Sequence, residues 1–434
     1  MSDTRARLPE LVAIALLAFT VRLVFLIAAA PEKAAELGLS DPFYYHAQAN
    51  LVADGQGFIE PFQYLFRGRD VPSATHPPAY VLVLAASSAF GGTSLFAHEL
   101  IGCAIGVAAA LLIAEVTRII AGPRAGFVAG IIAALYPQFW LNDTTVRAET
   151  LFAFVVAAVV GLAYRFEARP TALLAGLLGL ATGVAALTRG EGALLLVFLV
   201  APLALRAQRR SLPDRLGLLA LSLAVFAATL APWTAHNLSA FERPVLLSNN
   251  VGEVIGGANC EPAYSGSHVG GWIIGCLAED PPSGDESQRS ATYRKRGIDF
   301  ARGHLGELPK VVLARVARLW DVYAPSQNAR ANASEGRPLW AAQLSLAAYY
   351  VLLPLSAAGA VLLARRGTPF LPLGALVLLA TVTAALSWGA VRFRIPAEVA
   401  MVVTGAVAID ALFDRFARRR QAEDSAGRTA HLRE

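Results

Sequence analysis

The chain has 434 residues, of which 56% are hydrophobic and only 16% are charged, and its formal net charge is +5. Soluble proteins of this length are rarely so apolar, which excludes an ordinary soluble globular protein. The excess positive charge does not indicate nucleic-acid binding, because no nucleic-acid motif is present and the arginines flank apolar runs, where they anchor loops to anionic membrane lipids.

The apolar residues are gathered into runs of about 15 to 25, close to the roughly 20 that a helix needs to cross a hydrocarbon core about 30 Å thick. We therefore predict an all-α polytopic membrane protein with about ten transmembrane helices. The predicted spans are 8–30, 97–120, 124–141, 149–167, 171–188, 191–206, 215–236, 339–364, 369–388 and 394–414. Residues 77–90 are apolar but too few to cross, which favours a re-entrant or interfacial segment.

The first span, 8–30, ends in three alanines, Ala28 to Ala30, and so also resembles a cleaved signal peptide. Its apolar run is longer than that of a typical signal peptide, which favours a retained first helix. Arg22 lies about two thirds of the way along this span, where an embedded charge is typical of a transporter, and a side chain that snorkels to the outer interface is the alternative.

Arginine is distributed unevenly between the predicted loops, and cytoplasmic loops are the ones that accumulate Lys and Arg. With the N-terminus inside, the short outer turns retain only Arg147, Arg189, Arg392 and Arg394. The preference for Arg over Lys and the alanine-rich spans are typical of bacteria. The sequence thus predicts a multi-pass protein of the bacterial inner (plasma) membrane with both termini in the cytoplasm.

Two long segments, 31–96 and 237–338, are predicted to lie outside the membrane as two large extracytoplasmic loops. We divide the chain into four parts. Residues 1–236 form a transmembrane module that includes the first loop, 237–338 are the second loop, 339–414 are the C-terminal helices and 415–434 are a basic cytoplasmic tail. In the second loop, residues 287–304 are predicted to form a polar helix and residues 308–321 an amphipathic helix along the membrane interface.

Cys260 and Cys276 lie in this second outer loop. An oxidising compartment allows them to form a disulfide, worth roughly 3 kcal/mol on the chain-entropy scale for a loop of about 15 residues. We predict this disulfide, and the alternative is two free thiols.

Candidate catalytic side chains are the polar ones at the outer ends of the predicted spans. Asp41 opens a helix-compatible segment beyond the first span, although Asp at an N-cap followed by Pro42 at N1 is also ordinary helix-start chemistry. The other members of this face are His76, Arg147, Glu149, Arg189, Glu191, Arg392 and Arg394. Each alone could be a snorkelling anchor or a helix-end ion pair, but together they predict an outer polar rim rich in guanidinium groups.

Four short motifs follow one another on this topology. They are Asp41-x-x-Tyr44-Tyr45 with Gly55-x-Gly57-Phe58 behind it, His76-Pro77-Pro78, Glu149 at the start of the fourth span, and Arg392-Phe393-Arg394-Ile395-Pro396 at the start of the last. Together they resemble the polyprenyl-phosphate-sugar-dependent glycosyltransferases of the GT-C fold, specifically glycosyltransferase family 39 and its bacterial relatives. The resemblance covers most of 8–205 and again 385–414.

The resemblance implies a donor made of a polyprenyl chain, a phosphate and one sugar, and an inverting transfer on the outer face to a lipid, glycan or protein acceptor. Asp41 matches the family's catalytic aspartate and would be the general base. Arg392 and Arg394 would bind the donor phosphate, with Arg189 and His76 as second choices.

Further candidates for the substrate site are Tyr44, Tyr45, Arg147 and Glu149. The two tyrosines, like Trp272, could stack on a sugar face, but aromatic side chains at this depth equally suit an interfacial belt.

The sequence also departs from parts of the family. Protein O-mannosyltransferases carry two adjacent acidic residues in the first outer loop, whereas Pro42 follows Asp41, which disfavours protein mannosylation. The span count is lower than in the lipid A aminoarabinose transferases, so donor sugar and acceptor stay open. Some GT-C enzymes use a divalent metal, but no compact ligand cluster is seen, and no glycine-rich phosphate motif indicates a nucleotide sugar or ATP.

Two other classes stay open. One is a polytopic transporter or flippase of lipid-linked sugars, which usually has charges and broken helices near the bilayer midplane and repeated halves. The other is a non-catalytic scaffold or an O-antigen polymerase-like enzyme, which predicts tolerance of substitution at Asp41. Most charges here sit at the outer helix ends and no internal repeat is found, which favours the transferase.

Overall fold

The structure, a computed structural model, describes residues 2–36, 40–207, 210–333 and 336–431. This part of the chain is helical, with no strand beyond an isolated β-bridge between Ile59 and Pro72. The α-helices are α1 (Ser2–Glu36), α2 (Asp41–Ala53), α3 (Pro61–Arg67), α4 (Ala79–Ala89), α5 (Leu95–Ala121), α6 (Pro123–Leu135), α7 (Pro137–Asp143), α8 (Ala148–Ala168), α9 (Ala172–Thr188), α10 (Ala201–Leu205), α11 (Leu212–Ala240), α12 (Asn250–Ala258), α13 (Glu261–Tyr264), α14 (Gly275–Ala278), α15 (Glu286–Gly303), α16 (Leu308–Leu319), α17 (Pro325–Ala333), α18 (Leu339–Arg365), α19 (Leu371–Leu386) and α20 (Ile395–His431).

Six of these helices, α1, α5, α8, α11, α18 and α20, contain segments long and apolar enough to cross a membrane. Helices α6 and α7 form a seventh candidate that bends by 56°. The bend falls where Pro137 follows Tyr136, because a residue before proline is disfavoured in the helical region. Helices α9 and α19 are apolar but have only 17 and 16 residues. The all-α polytopic membrane fold is confirmed, and the count of ten spans stays a prediction.

The predicted span 191–206 is not a regular α-helix. It begins with a 3-10 helix at Gly190–Leu194, continues as a π-helix at Leu196–Val200 and ends in α10. A Cβ atom on Gly192 would lie 2.5 Å from the backbone carbon of Ala185, so this close approach to α9 requires glycine.

The core of the membrane part is built around α20, which packs against α18, α19, α6 and α8. Small residues allow these helices to approach closely. A Cβ atom on Gly359 of α18 would overlap the backbone of Thr404 on α20, so only glycine fits at this crossing.

Arg22 is buried inside the protein, so the alternative of a snorkelling side chain does not hold. Its side chain is buried and pairs with Asp143 at 2.7 Å, and it also donates to the carbonyl oxygens of Ala18 and Ala134. The carboxylate lies at the end of α7, where the bent α6–α7 pair brings it against α1. A buried guanidinium with these partners ties the helices together instead of snorkelling.

The two outer segments contain the short helices. In the first, α4 covers most of the predicted re-entrant stretch 77–90 and packs against α2 and α5. In the second, α15 and α16 confirm the helices predicted at 287–304 and 308–321. Helix α15 begins with a capping box, in which Asp285 and Gln288 each accept from the other's backbone amide.

A disulfide joins Cys260 and Cys276, the two cysteines predicted to pair. We call the chain between them the disulfide strap. Arg318 of α16 donates to two carbonyl oxygens of the strap, at 2.7 and 2.9 Å. The amide of Gly389 donates to the carbonyl of Gly270 at 2.8 Å, so the strap is also fixed to the segment that leads into α20.

We expect Cys276→Ser to lower the free energy of unfolding by about 3 kcal/mol, because the unfolded chain gains the freedom of an open loop. Thermal unfolding of the purified protein in detergent measures the loss. A reducing agent should lower the midpoint of the wild type to that of the variant and leave the variant unchanged. Equal midpoints for variant and wild type under oxidising conditions would contradict a stabilising disulfide.

Candidate active site

Asp41 lies at the start of α2, but it does not cap that helix. The N-cap is Ser40, whose backbone is extended, and Asp41 is the first helical residue, with Pro42 after it. The Asp41 carboxylate instead turns to the polar rim, with Oδ2 2.9 Å from Nη2 of Arg392 and Oδ1 3.5 Å from Nε2 of His76. Asp41 therefore occupies the first turn of the helix and not the N-cap, and partners from distant segments hold its side chain.

His76 is held in place by two tyrosine rings of α2. The ring of Tyr45 stacks on it with centroids 4.7 Å apart, and the ring of Tyr44 meets it edge-on at 5.0 Å. The Tyr44 hydroxyl is hydrogen-bonded to Oγ of Ser73 at 2.6 Å. Both tyrosines are at most 3% exposed, so their rings position His76 from within the protein.

Glu149 is the centre of the predicted rim and is fully buried. Its Oε1 atom lies 2.6 Å from Nε of Arg392, 2.7 Å from Nη1 of Arg189 and 3.6 Å from Nη1 of Arg147. Arg189 also pairs with Glu191 at 2.6 Å. Arginines from three separate segments thus converge on one carboxylate, which fixes the guanidinium groups in space.

Access to solvent separates two members from the rest of this network. The side chains of Asp41 and Arg392 are 23% and 21% exposed, whereas those of Glu149 and Arg147 are at most 1% exposed. Arg392 therefore connects the buried and the accessible parts of the network, because its Nε pairs with the buried carboxylate of Glu149 and its Nη2 with the accessible carboxylate of Asp41. A molecule arriving from outside meets a carboxylate and a guanidinium side by side.

The charge state of Asp41 follows from these contacts. Burial raises the pKa of Asp41, but the positive charge of Arg392 and the contact with His76 outweigh burial and hold the pKa well below its usual value. Asp41 is therefore a carboxylate at neutral pH and can accept a proton. Burial, with the negative charge of Asp41 added to it, raises the pKa of Tyr45, which stays a neutral phenol.

Arg394 lies apart from this network, although only one residue separates it from Arg392. Its guanidinium is buried and pairs with Asp321 at 2.6 Å and with Glu398 at 2.8 Å. The ring of Tyr349 lies 3.7 Å from the guanidinium carbon. These contacts favour a structural role that joins α16, α18 and α20, and they place Arg394 away from Asp41.

Arg337 belongs near the network and was missed by the sequence analysis. It is buried, and burial together with the positive charge of Arg147 lowers its pKa. Nη1 of Arg337 lies 3.3 Å from Oδ1 of Asn142. Its position just before α18 repeats that of Arg147 before α8, and this repeated placement was the signal in the sequence.

We expect Glu149→Gln to destabilise the protein by about 3–5 kcal/mol, the usual effect of removing one partner of a buried ion pair. Three guanidinium groups would then face one another with a neutral amide between them. Glu191→Gln is the matched control, because it removes only one contact of Arg189 at a more exposed position. The midpoint of thermal unfolding in detergent should fall far more for Glu149→Gln, and equal shifts would contradict a central role of Glu149.

Comparisons with known proteins agree with this architecture. Residues 75–235 match the family model described as dolichyl-phosphate-mannose-protein mannosyltransferase. No curated protein matches the chain by sequence. The archaeal oligosaccharyltransferase AglB from Archaeoglobus fulgidus, solved with an inhibitory peptide and a dolichol-phosphate, aligns over 98% of this chain and 52% of its own, with 18% identity and a TM-score of 0.53.

Two further solved structures are similar. An Archaeoglobus fulgidus oligosaccharyltransferase tethered to an acceptor peptide aligns over 97% of this chain and 51% of its own, with 18% identity and a TM-score of 0.56. ArnT from Cupriavidus metallidurans bound to undecaprenyl phosphate aligns over 91% and 77%, with 16% identity and a TM-score of 0.42.

The chain spans about half the length of the oligosaccharyltransferases that it matches. It nevertheless aligns with them over nearly its whole length, so it has the GT-C fold, and the family match over residues 75–235 agrees with the resemblance inferred from the sequence motifs. The family match includes His76, Glu149 and Arg189 but ends before Arg392 and begins after Asp41.

Proposed function

We propose that this protein, a multi-pass membrane protein of the GT-C fold, transfers a sugar from a polyprenyl-phosphate donor to an acceptor on the extracytoplasmic face of the membrane, with inversion. One observation carries the proposal. Asp41 and Arg392 form an accessible carboxylate–guanidinium pair, 2.9 Å apart, above a buried ion-pair network. A base for the incoming hydroxyl and a cation for the departing phosphate are the two groups that this transfer needs. The dolichol-phosphate in the AglB structure supports a lipid phosphate as part of the donor.

The proposed transfer is a single displacement at the anomeric carbon. Asp41 takes the proton of the acceptor hydroxyl while the oxygen of that hydroxyl bonds to the anomeric carbon. The bond from that carbon to the phosphate oxygen breaks, and the lipid phosphate leaves with the bonding electrons. Attack from the face opposite the phosphate inverts the sugar, and Arg392 stabilises the charge that grows on the phosphate.

Donor binding would also activate the base. Without donor, the guanidinium of Arg392 is shared between Asp41 and Glu149. A lipid phosphate competes with Asp41 for the accessible Nη2 atom, while Glu149 keeps hold of Nε. Because Arg392 is the main group that lowers the pKa of Asp41, losing its charge to the phosphate raises that pKa and makes Asp41 a stronger base.

We further propose that arginines, with Arg189 behind Arg392, neutralise the phosphate. In the described part of the chain, no group of three or more His, Cys, Asp or Glu side chains is placed to hold a metal ion. The site would face the outside of a bacterial inner membrane, with both termini in the cytoplasm and lipids around the spans, as the arginine distribution predicts.

A panel of polyprenyl-phosphate sugars tests the proposal, with the purified protein in nanodiscs. We expect one donor to be consumed, at least by slow hydrolysis, and NMR of the first product to show the inverted anomer. EDTA should leave the rate unchanged. Retained configuration would contradict direct displacement. A protein that consumes no donor but moves intact lipid-linked sugar across proteoliposome membranes would be a flippase instead.

A further inference from the structure

A polar cavity of about 200 Å³ lies between the two outer segments. Its lining includes the carboxylates of Glu60, Glu253 and Glu286, the guanidinium of Arg289 and the ring of Phe62. Carboxylates beside an aromatic ring are a combination that suits a small polar ligand with one apolar face.

Glu286, at the start of α15, is the most buried of the three carboxylates, with 8% of the residue exposed. Its Oε2 accepts from the amide of Ala74 at 2.9 Å and from Nδ2 of Asn249 at 3.3 Å, and its Oε1 accepts from the hydroxyl of Thr75 at 3.3 Å. These contacts join the second outer segment to the first and hold the carboxylate in a fixed orientation at the cavity.

The negative charge of the cavity is not balanced by ion pairs. Within the described ranges, none of Glu60, Glu253 and Glu286 lies within 4.0 Å of a cationic group, and Arg289 donates to a backbone carbonyl instead. Burial raises the pKa of Glu286 and of the half-buried Glu60, and the negative charge of Glu286 raises the pKa of Glu60 further. Carboxylates arranged this way are stabilised by a ligand that donates hydrogen bonds and are repelled by an anionic one.

One short segment of the chain connects the cavity to the candidate base, Asp41. Thr75 lines it, and the next residue, His76, contacts Asp41. The hydrogen bond between Tyr44 and Ser73 fixes the same short segment to α2. A ligand in the cavity therefore lies against the segment that positions His76 beside Asp41.

We propose that this cavity is the acceptor site and that the acceptor is a neutral glycan. A terminal sugar ring donates hydroxyl hydrogen bonds to Glu286 and Glu253 and places its apolar face on Phe62. The volume suits one sugar ring and not a folded polypeptide, and the charge disfavours a phosphorylated acceptor. This assignment rests on the proposed function, because it supplies the hydroxyl that Asp41 would deprotonate.

Saturation-transfer NMR tests the site without relying on catalysis. The full chain in nanodiscs is mixed with methyl glycosides of mannose, glucose, galactose and arabinose. Asn250→Trp fills the cavity. Glu253→Gln removes an exposed carboxylate at the cavity, and within the described residues the side chain of Glu253 makes no hydrogen bond or ion pair. Glu279→Gln is the matched control, since it makes the same change on an exposed residue of the same outer segment outside the cavity lining.

We expect saturation transfer to at least one glycoside, lost in Asn250→Trp, weakened several-fold in Glu253→Gln and unchanged in Glu279→Gln. Absence of transfer above empty nanodiscs, or an unchanged signal in Asn250→Trp, overturns the site even if wild type hydrolyses a polyprenyl-phosphate sugar, in which case the proposed function stands. Binding as expected but with no consumption of any donor in the presence of the bound glycoside overturns the acceptor role together with the proposed function.

Discussion

Asp41→Asn should reduce sugar transfer by at least about a hundredfold, the effect typical of losing a general base. Asparagine has the same size and keeps an oxygen that accepts from Arg392, but it cannot take the proton of the acceptor hydroxyl. The turnover number should therefore fall while the KM for the donor changes little, because the guanidinium still faces the phosphate. Initial rates over a range of donor concentrations separate the two quantities.

Asp54→Asn is the matched control for this substitution. Asp54 lies at the other end of α2 and is exposed, so its variant should transfer sugar at the wild-type rate. Thermal midpoints of all three proteins should agree, since Glu149 still holds Arg392 in each of them. Wild-type rates of sugar transfer in Asp41→Asn would remove Asp41 as the general base.

The helical membrane fold could be predicted because hydropathy alone decides which segments enter a bilayer. Most of the predicted rim residues do lie together, since side chains that cap spans on one face are brought near one another, but Arg394 lies apart from them. Hydropathy could not predict how each span is built. The break at Gly190–Leu194 depends on the close approach of Gly192 to α9, which only the packed structure contains.

The sequence could not predict which partner each rim residue contacts. Arg392 and Arg394 look equivalent in the motif, but they sit in a short 3-10 turn that directs them to different sides. Arg392 meets Asp41 and Glu149, while Arg394 meets Asp321, which comes from the turn after α16. The two-residue spacing of these arginines does not predict which residue each guanidinium contacts, because the partners come from segments that are distant in the chain.

The polar cavity could not be predicted for the same reason. Its walls come from the first outer segment near Glu60 and Thr75 and from the second near Glu253 and Glu286. In the sequence, each of these carboxylates taken alone would be interpreted as a solvated charge in a loop. The two segments are brought together by the hydrogen bonds from Ala74 and Thr75 to Glu286 and by the backbone hydrogen bond from Asn249 to Ala74, which the sequence does not reveal.

Arg392→Gln should lower the turnover number by about a hundredfold to a thousandfold, as expected when a preorganised donor to a developing oxyanion is lost. It should also change the pH dependence. Arg392 lowers the pKa of Asp41, so its removal raises that pKa. Asp41 works as a carboxylate, and a raised pKa means that the carboxylate is protonated at a higher pH. The acid limb of kcat/KM should therefore lie at higher pH in Arg392→Gln than in the wild type.

Arg392→Lys separates the charge from the geometry. Lysine keeps one positive charge but presents a single ammonium group, which cannot hold Glu149 through one nitrogen and Asp41 through another as the guanidinium does. Its acid limb should stay near that of the wild type, because a cation still lowers the pKa of Asp41, while its turnover number falls because the phosphate loses a bidentate partner. If Arg392→Gln keeps the wild-type acid limb, then Arg392 does not set the charge state of the base. If both variants keep the wild-type turnover number, the phosphate binds elsewhere in the network, and Arg189 becomes the residue to substitute next.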